Sequence, residues 1–346
     1  MEEVQCYFDD NMLDGEKSLI IKVLQHYKIQ AESVYKKRSA YRINTSEKAY
    51  CLKRMSNTKA QIKNGYIVTE ELRRIGFLNV VEYIPTKDKK LYIIIGNYLF
   101  YMTTWFEGRE ADLCDLTEAK EAVRLLAEFH LSVQKINTSS LKIRNNSLNW
   151  LKIYDKKLRD FKKYTQIING KLLLSQFDRE FYSDIINQYN YGKYSLDLIK
   201  ANYYNEINPL KVGICHDSFY YQNLIKYKDT LNIIDLDSMV IDIQITDLAK
   251  FIRRLMYRSY YSWDFDKAKS LIETYSSIRS ISLEELYLIL AVISFPHRFW
   301  KLGRKRYIKF NSWPESKFIK KLRKLSKFRK SYEKFIMDFE KYIKEQ

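Results

Sequence analysis

The sequence predicts an α+β protein of two lobes, a small β-rich one over residues 1–105 and a larger, mainly helical one over 106–346. Three observations predict it. Short β-prone runs parted by polar turns fill the first hundred residues, clean helical periodicity begins after Gly108, and a β-like insertion interrupts the helices between Cys215 and Ile245.

Taken in order, residues 16–28 predict an opening helix with Leu19, Ile20, Val23, Leu24 and Tyr27 on one side. Ser33 to Met55 reads as two β-rich runs around the turn Asn44-Thr45-Ser46-Glu47-Lys48, since Asn, Ser and Thr side chains satisfy turn backbone locally. Residues 58–75 carry a helical period through Ile62, Tyr66, Leu72 and Ile75, with Gly76 as the stop. Strands over 91–95 and 98–105 flank Gly96-Asn97, a hairpin signal. A crossing segment near Trp105 to Arg109 leads into LTEAKEAVRLLAEFHLSV, the first helix of the larger lobe. Near the C-terminus, Phe318, Leu322, Leu325, Phe328, Tyr332, Phe335, Phe339 and Ile343 predict an amphipathic helix with a basic outer face.

Composition excludes several classes. At 46% hydrophobic with charges spread throughout, 346 residues can bury ordinary cores. Nine Gly and four Pro leave no collagen-like or Pro-rich architecture and few places for a glycine-dependent nucleotide loop. The longest uncharged run, Leu91 to Phe106, is too short to span a bilayer, so no membrane span is expected. The opening MEEVQCYFDD is acidic and lacks an apolar core, so no signal peptide is expected and synthesis is placed in the cytoplasm. Cys6, Cys51, Cys114 and Cys215 form no C-x-x-C pair and read as reduced thiols; the spacing of His26, His130, His216 and His297 offers no zinc site.

The net charge of +18 invites a nucleic-acid reading. From Pro296 onward, however, seventeen Lys and Arg face only five acids, so most of the excess belongs to one stretch. A solvated helical face accounts for it, with an acidic protein partner or another polyanion as the alternative, and nucleic acid ranks last among the partners.

The sharpest chemical signal is residues 214–249, within ICHDSFYYQNLIKYKDTLNIIDLDSMVIDIQITDLAKFIRR. Asn223, Asp235 and Asp237 are hard oxygen donors of the kind Mg²⁺ takes while keeping waters and substrate phosphates as its other ligands. A short β-hairpin bringing Asn223 near Asp235 makes half of such a site. The same residues also suit plain turns.

This segment resembles the phosphate-transfer loop of the aminoglycoside and choline phosphotransferase-like kinases, H-G-D-x-x-x-x-N, then I-D-[FW]-[DE], then D-L-A. His216 to Asn223, Ile234-Asp235-Leu236-Asp237 and Asp247-Leu248-Ala249 match it. FPHRFWKLGRKRYIKFNSW (295–313), WFEGREADL (105–113) and LLAEFH (125–130) are similar to the CotS family of spore coat proteins within that superfamily. The resemblance implies a bilobal protein-kinase-like fold and, for the cofactors, ATP and Mg²⁺. It puts Lys53 on the nucleotide phosphates, with Glu70 or Glu71 as candidates to hold it, and Thr103, Thr104 and Trp105 in the hinge beside adenine. Asn223, Asp235 and Asp237 become the metal residues, and His216 and Asp247 structural loop residues. The covering loop would be KKRSAY, 36–41, which has no glycine.

One departure bears on catalysis. Asp217 falls at the family's glycine and Ser218 at its catalytic aspartate. A serine hydroxyl is no general base near neutral pH, and base catalysis is worth about 10² to 10⁴ in rate. The expectation is therefore a weak or inactive kinase in spore coat assembly, made in the mother cell, deposited on the spore coat and partnered by other coat proteins. The alternative is an active ATP- and Mg-dependent phosphotransferase on a hydroxyl of a sugar or other small molecule, with Asp217 taking the proton. Tyr220, Tyr221, Tyr257, Tyr260, Tyr261 and Trp263 are candidates for an acceptor pocket, though the aromatic content favours core packing.

Overall fold

The computed structural model describes residues 6–55, 59–203 and 211–346, so Thr58 of the expected second helix lies outside the described residues. The chain divides into two compact units. The first holds the described residues up to Asp112 together with Phe129–Arg144 and His216–Val240; the second holds Leu113–Glu128, Asn145–Cys215 and Ile241–Gln346.

The sheet of the first unit is built from β1 (Tyr7–Phe8), β2 (Ser33–Lys37), β3 (Ala40–Asn44), β4 (Ala49–Met55), β5 (Tyr83–Ile84), β6 (Ile93–Ile95) and β7 (Tyr98–Thr104). Its order is β1-β2-β3-β4-β7-β5, with β6 also on β7, and only β1 and β2 pair in parallel. Both faces are covered, which is why β7 reads as an almost unbroken apolar run. Leu52, Phe100 and Met102 join Ile20 and Val23 of α1 (Asp14–Leu24) in one cluster. Leu99, Tyr101 and Tyr83 join Ile62 of α2 (Lys59–Arg74) in the other. Gly76, at φ +90°, ends α2 as expected, where Phe77 N–H returns to the Leu72 carbonyl.

Two local expectations need correction. The stretch 33–55 contains three strands, because a two-residue turn at Arg38-Ser39, with Arg38 at φ +57°, splits the first run. The opening helix ends at Leu24, and Tyr27 is buried from the turn beyond it. The hairpin at Gly96, φ +58°, forms between β6 and β7 as expected.

A smaller sheet in this unit orders β11 (Thr230–Ile233), β10 (Leu224–Tyr227) and β8 (Arg109–Glu110). The second unit carries a two-stranded pair, β9 (Val212–Cys215) with β12 (Val240–Ile243). Its helices are α4 (Trp150–Asn169), α5 (Gln176–Tyr203), α6 (Ile245–Met256), α7 (Phe265–Ser276), α8 (Leu283–Ser294), α9 (His297–Gly303), α10 (Glu315–Ser326) and α11 (Arg329–Lys344). The intervening α3 (Leu116–Val133) matches the expected LTEAKEAVRLLAEFHLSV in full. Helix α8 is buried along Leu288–Ser294, as an all-round apolar helix must be, and starts at a capping box between Ser282 and Glu285.

The expected C-terminal helix is two helices, α10 and α11, broken at Lys327-Phe328. Their apolar stripes pack in different directions: Phe318 meets Phe177 and Trp313, whereas Phe335 meets Trp263 and Phe265. One straight helix cannot serve both. Of the six aromatics singled out in the sequence, Tyr261 and Trp263 are buried in core packing, Tyr220, Tyr221 and Tyr257 are half-buried, and Tyr260 is exposed.

Candidate functional site

The site grows from the pairing of β4 with β7. In that register Lys53 lies directly opposite Tyr101, and Cys51 opposite Thr103, so alternation puts all four on one face. Lys53 Nζ hydrogen-bonds to Asp235 Oδ1, lies 3.7 Å from Asp237 Oδ2 and sits 5.7 Å from the centre of the Tyr101 ring. Tyr101 Oη donates to Asp237 Oδ2 at 2.9 Å, and Tyr83 stacks on Tyr101 with centroids 5.5 Å apart. Sequence reasoning missed Tyr101 and Tyr83. The signal was the cross-strand partner of Lys53, which becomes legible only when β4 and β7 are recognised as neighbours.

The two carboxylates come from the β10–β11 hairpin and the turn after it. Leu224 pairs with Ile233, and Ile234 N–H donates to the Asn223 carbonyl at 3.0 Å, so Asn223 faces the residue before Asp235 at the hairpin's open end. Asn223 is buried and donates Nδ2 to the Ser218 carbonyl at 3.0 Å, and among the described residues its Oδ1 accepts no hydrogen bond. Asp235 takes φ +73°, ψ +47°, a left-handed conformation that redirects the chain into the short helix Leu236–Ser238 and brings Asp237 round beside it.

His216 holds the facing loop. Its Nε2 donates to the Ile234 carbonyl at 3.0 Å while Nδ1 accepts from Ser218 N–H at 3.3 Å, so one fully buried ring ties 216–218 to the end of β11. Asp217, between them, has φ +61°. Asp247 is buried in the first turn of α6, in the second unit.

Charge is tightly coupled here. Burial opposes the Lys53 ammonium, but Asp237 and Asp235 outweigh it and hold its pKa above the ordinary lysine value. Burial pushes Asp235 up, yet the Lys53 charge and hydrogen bond bring it below the usual range. Asp237 is held above that range, by burial first and with Asp235 adding to it against the pull of Lys53. One lysine thus serves two crowded carboxylates. The donor set, two carboxylates and an amide oxygen, is all hard oxygen and fits a Mg²⁺ ion that would share the load on Lys53.

The helix does not supply the lysine's partner. Glu71 of α2 pairs with Arg74 at 2.6 Å, Glu70 is exposed, and Gly65 occupies the part of α2 that faces Tyr83 and the Leu236 carbonyl. Lys53, Tyr83, Tyr101, Thr103, Trp105 and Ile234 line an open pocket of about 490 Å³, a volume that includes its solvent-filled mouth. Thr104 lines it too, but Thr104 N–H donates to the Glu82 carbonyl at 2.8 Å and Trp105 N–H to the Ala49 carbonyl at 3.1 Å. Those two backbone donors are already engaged within the protein. A ligand ring would meet side chains and carbonyls at these positions.

A family model described as "Spore coat putative kinase YutH" matches residues 21–339. Among solved structures, the chain is similar to an aminoglycoside phosphotransferase from Alicyclobacillus acidocaldarius subsp. acidocaldarius DSM 446, at TM-score 0.84 and 18% identity, covering 94% of this chain and 96% of that one. It is similar to spectinomycin phosphotransferase APH(9)-Ia in complex with ADP and spectinomycin, at TM-score 0.67 and 16% identity over 94% of this chain and 98% of that one. A microcompartment-associated aminopropanol kinase aligns at TM-score 0.66 and 12% identity over 93% and 98%. At these identities the likeness is one of fold, and the fold is the bilobal protein-kinase-like one.

Proposed function

This chain belongs to the YutH family of spore coat kinases, and on that premise we propose that it serves the spore coat as a kinase-like component with a nucleotide pocket and little or no phosphoryl transfer. The observation that carries this reading is the backbone of Asp217. At φ +61° it holds a conformation that glycine enters without strain, which supports the register with Asp217 at the family's glycine and Ser218 at its catalytic aspartate. With Ser218 there, no carboxylate takes the acceptor's proton.

The binding half of the chemistry is supported separately. Bound Mg-ATP would supply the transferable phosphoryl group and the metal that neutralises its charge. Lys53 would steady the phosphates, Asn223 and Asp235 would hold the metal with Asp237 behind them, and Thr103, Thr104 and Trp105 would flank the base. His216 keeps the loop in register throughout. Deposition on the coat and association with other coat proteins follow from the family premise.

The intact cluster of Lys53, Asp235 and Asp237 beside the pocket favours a second reading, an active phosphotransferase on a sugar or other small-molecule hydroxyl with Asp217 receiving the proton. One experiment separates the two. ATP consumption is measured with a panel of hydroxyl acceptors for the parent chain, Asp217→Ala and Ser218→Asp. Negligible parent turnover, with a gain in Ser218→Asp, fits the first reading. Parent turnover abolished by Asp217→Ala establishes the second and removes the first.

A further inference from the structure

The motif 295–313 and the helix after it take no part in the site described above, yet they form the most one-sided charge distribution in the chain. Between Arg298 and Lys327 there are twelve Lys and Arg and a single acid, Glu315. The few carboxylates within reach are already used: Arg306 lies 3.9 Å from Glu315, and Arg323 forms two hydrogen bonds to Glu180. Arg298, Lys301, Lys305, Lys309, Lys317 and Lys321 have no carboxylate within ion-pair distance among the described residues.

These cations do not point away from one another. Lys305, Lys317 and Lys321 bring their ammonium groups to 4.0, 4.4 and 5.3 Å from the centre of a single ring, Trp313. Lys321 is lowered in pKa by burial first, and then only by cations: Lys305, Lys317, Arg298 and Lys324. Lys301 is lowered by burial and by Arg254, Arg253, Lys305 and Lys309, again with no acid contributing. The patch is therefore continuous from α9 to α10. Holding like charges together costs stability, and a ligand of opposite sign recovers that cost. On the same turn Phe310 is 80% exposed at φ +46°, an apolar ring held out toward solvent.

We propose that this face, from Arg298 through Trp313 to Lys321, docks an extended Asp- and Glu-rich segment of a partner protein. Three features favour acidic polypeptide over polynucleotide. The free cations are mostly lysines, point charges matched to separate carboxylates, while Arg323 commits its planar fork to Glu180 and Arg306 lies 3.9 Å from Glu315. The Trp313 ring is already capped by lysines, so it offers no platform for stacking bases. Phe310 gives a protein partner an aromatic anchor beside the charges. The proposal is independent of catalysis and of nucleotide binding.

The test uses the full chain and a fluorescein-labelled twelve-residue oligo-glutamate peptide, read by anisotropy at 50 mM and 200 mM NaCl. The expected result is saturable binding that weakens with salt and loses at least tenfold in affinity in the triple variant Lys305→Gln, Lys317→Gln, Lys321→Gln. A control with the same charge change on the exposed turn of the first unit, Lys87→Gln, Lys89→Gln, Lys90→Gln, should stay within twofold of the parent. Equal losses in the two variants would reduce the effect to net charge and overturn the proposal, as would absence of binding at 50 mM NaCl. Tighter binding of a twelve-nucleotide oligo-dT that displaces the peptide would overturn it in favour of nucleic acid. Thermal midpoints report folding, and Lys317→Gln alone, on an exposed side chain, replaces the triple variant if that one is unstable.

Discussion

Replacing Lys157 of α4 by Met should make the protein more stable, and by an amount that depends on pH. The ammonium lies 4.2 Å from the centre of the Tyr154 ring, 5.1 Å from Phe295 and 5.6 Å from Trp300. No carboxylate among the described residues lies within ion-pair distance of it, and its charged neighbours are Arg253 and Lys250 of α6 and Lys301 of α9. Burial, and then those cations, push its pKa down to about 7 from 10.5. That gap corresponds to a ceiling of about 5 kcal/mol, from about 1.4 kcal/mol per tenfold change. The three aromatic faces return about 1–2 kcal/mol, and partial exposure screens more. The net expectation is a gain of about 2 kcal/mol for Lys157→Met at pH 6, since Met fills much the same space.

The sign follows from proton binding. Below pH 7 the native and unfolded states both carry the proton, so the full penalty is present. Between pH 7 and 10.5 the unfolded chain binds more protons than the native one, stability rises with pH, and the penalty fades. Urea unfolding of parent and variant at pH 6 and pH 9 should show the gap shrinking at the higher value. A variant less stable than its parent at pH 6, or a gap unchanged at pH 9, would refute the reasoning.

Three further outcomes follow from the first unit. Gly108→Ala should destabilise by about 3 kcal/mol in thermal unfolding, because φ +115° is strained for alanine and the new methyl would run into the Lys226 carbonyl. Asp217→Gly should stabilise by about 0.5–1 kcal/mol by releasing left-handed strain, and a loss instead would mean that the Asp217 side chain contributes more than its backbone costs. A double-mutant cycle on Lys53→Met and Asp235→Asn should give a coupling of about 1–2 kcal/mol in chemical denaturation, and additive single effects would place the two groups apart in solution.

The parts legible in the sequence were those fixed by short-range patterns. The period of α3, the Gly96 turn between β6 and β7, the Gly76 stop and the hairpin joining Asn223 to Asp235 each depend on residues within a dozen positions. The turn at Arg38-Ser39 was missed as a strand break because a basic residue stands where a left-handed turn usually takes Gly or Asn. The partner of Lys53 was sought on the following helix, whereas the nearest carboxylate is 182 positions away and arrives through the β11 turn. Tyr101 was hidden for the same reason: strand order is a tertiary fact, and no local pattern names the strand beside β4. The C-terminal helices read as one because Phe328 keeps the apolar period while the packing direction changes beneath it.

The proposed nucleotide pocket on Lys53 and Asp235 is tested by the thermal midpoint with and without Mg-ATP for the parent chain and for Asp235→Ala. A ligand that binds only the folded state raises the midpoint. The expected result is a rise of several degrees for the parent that is largely lost in Asp235→Ala. An unchanged midpoint in the parent, or an equal rise in both proteins, would contradict it.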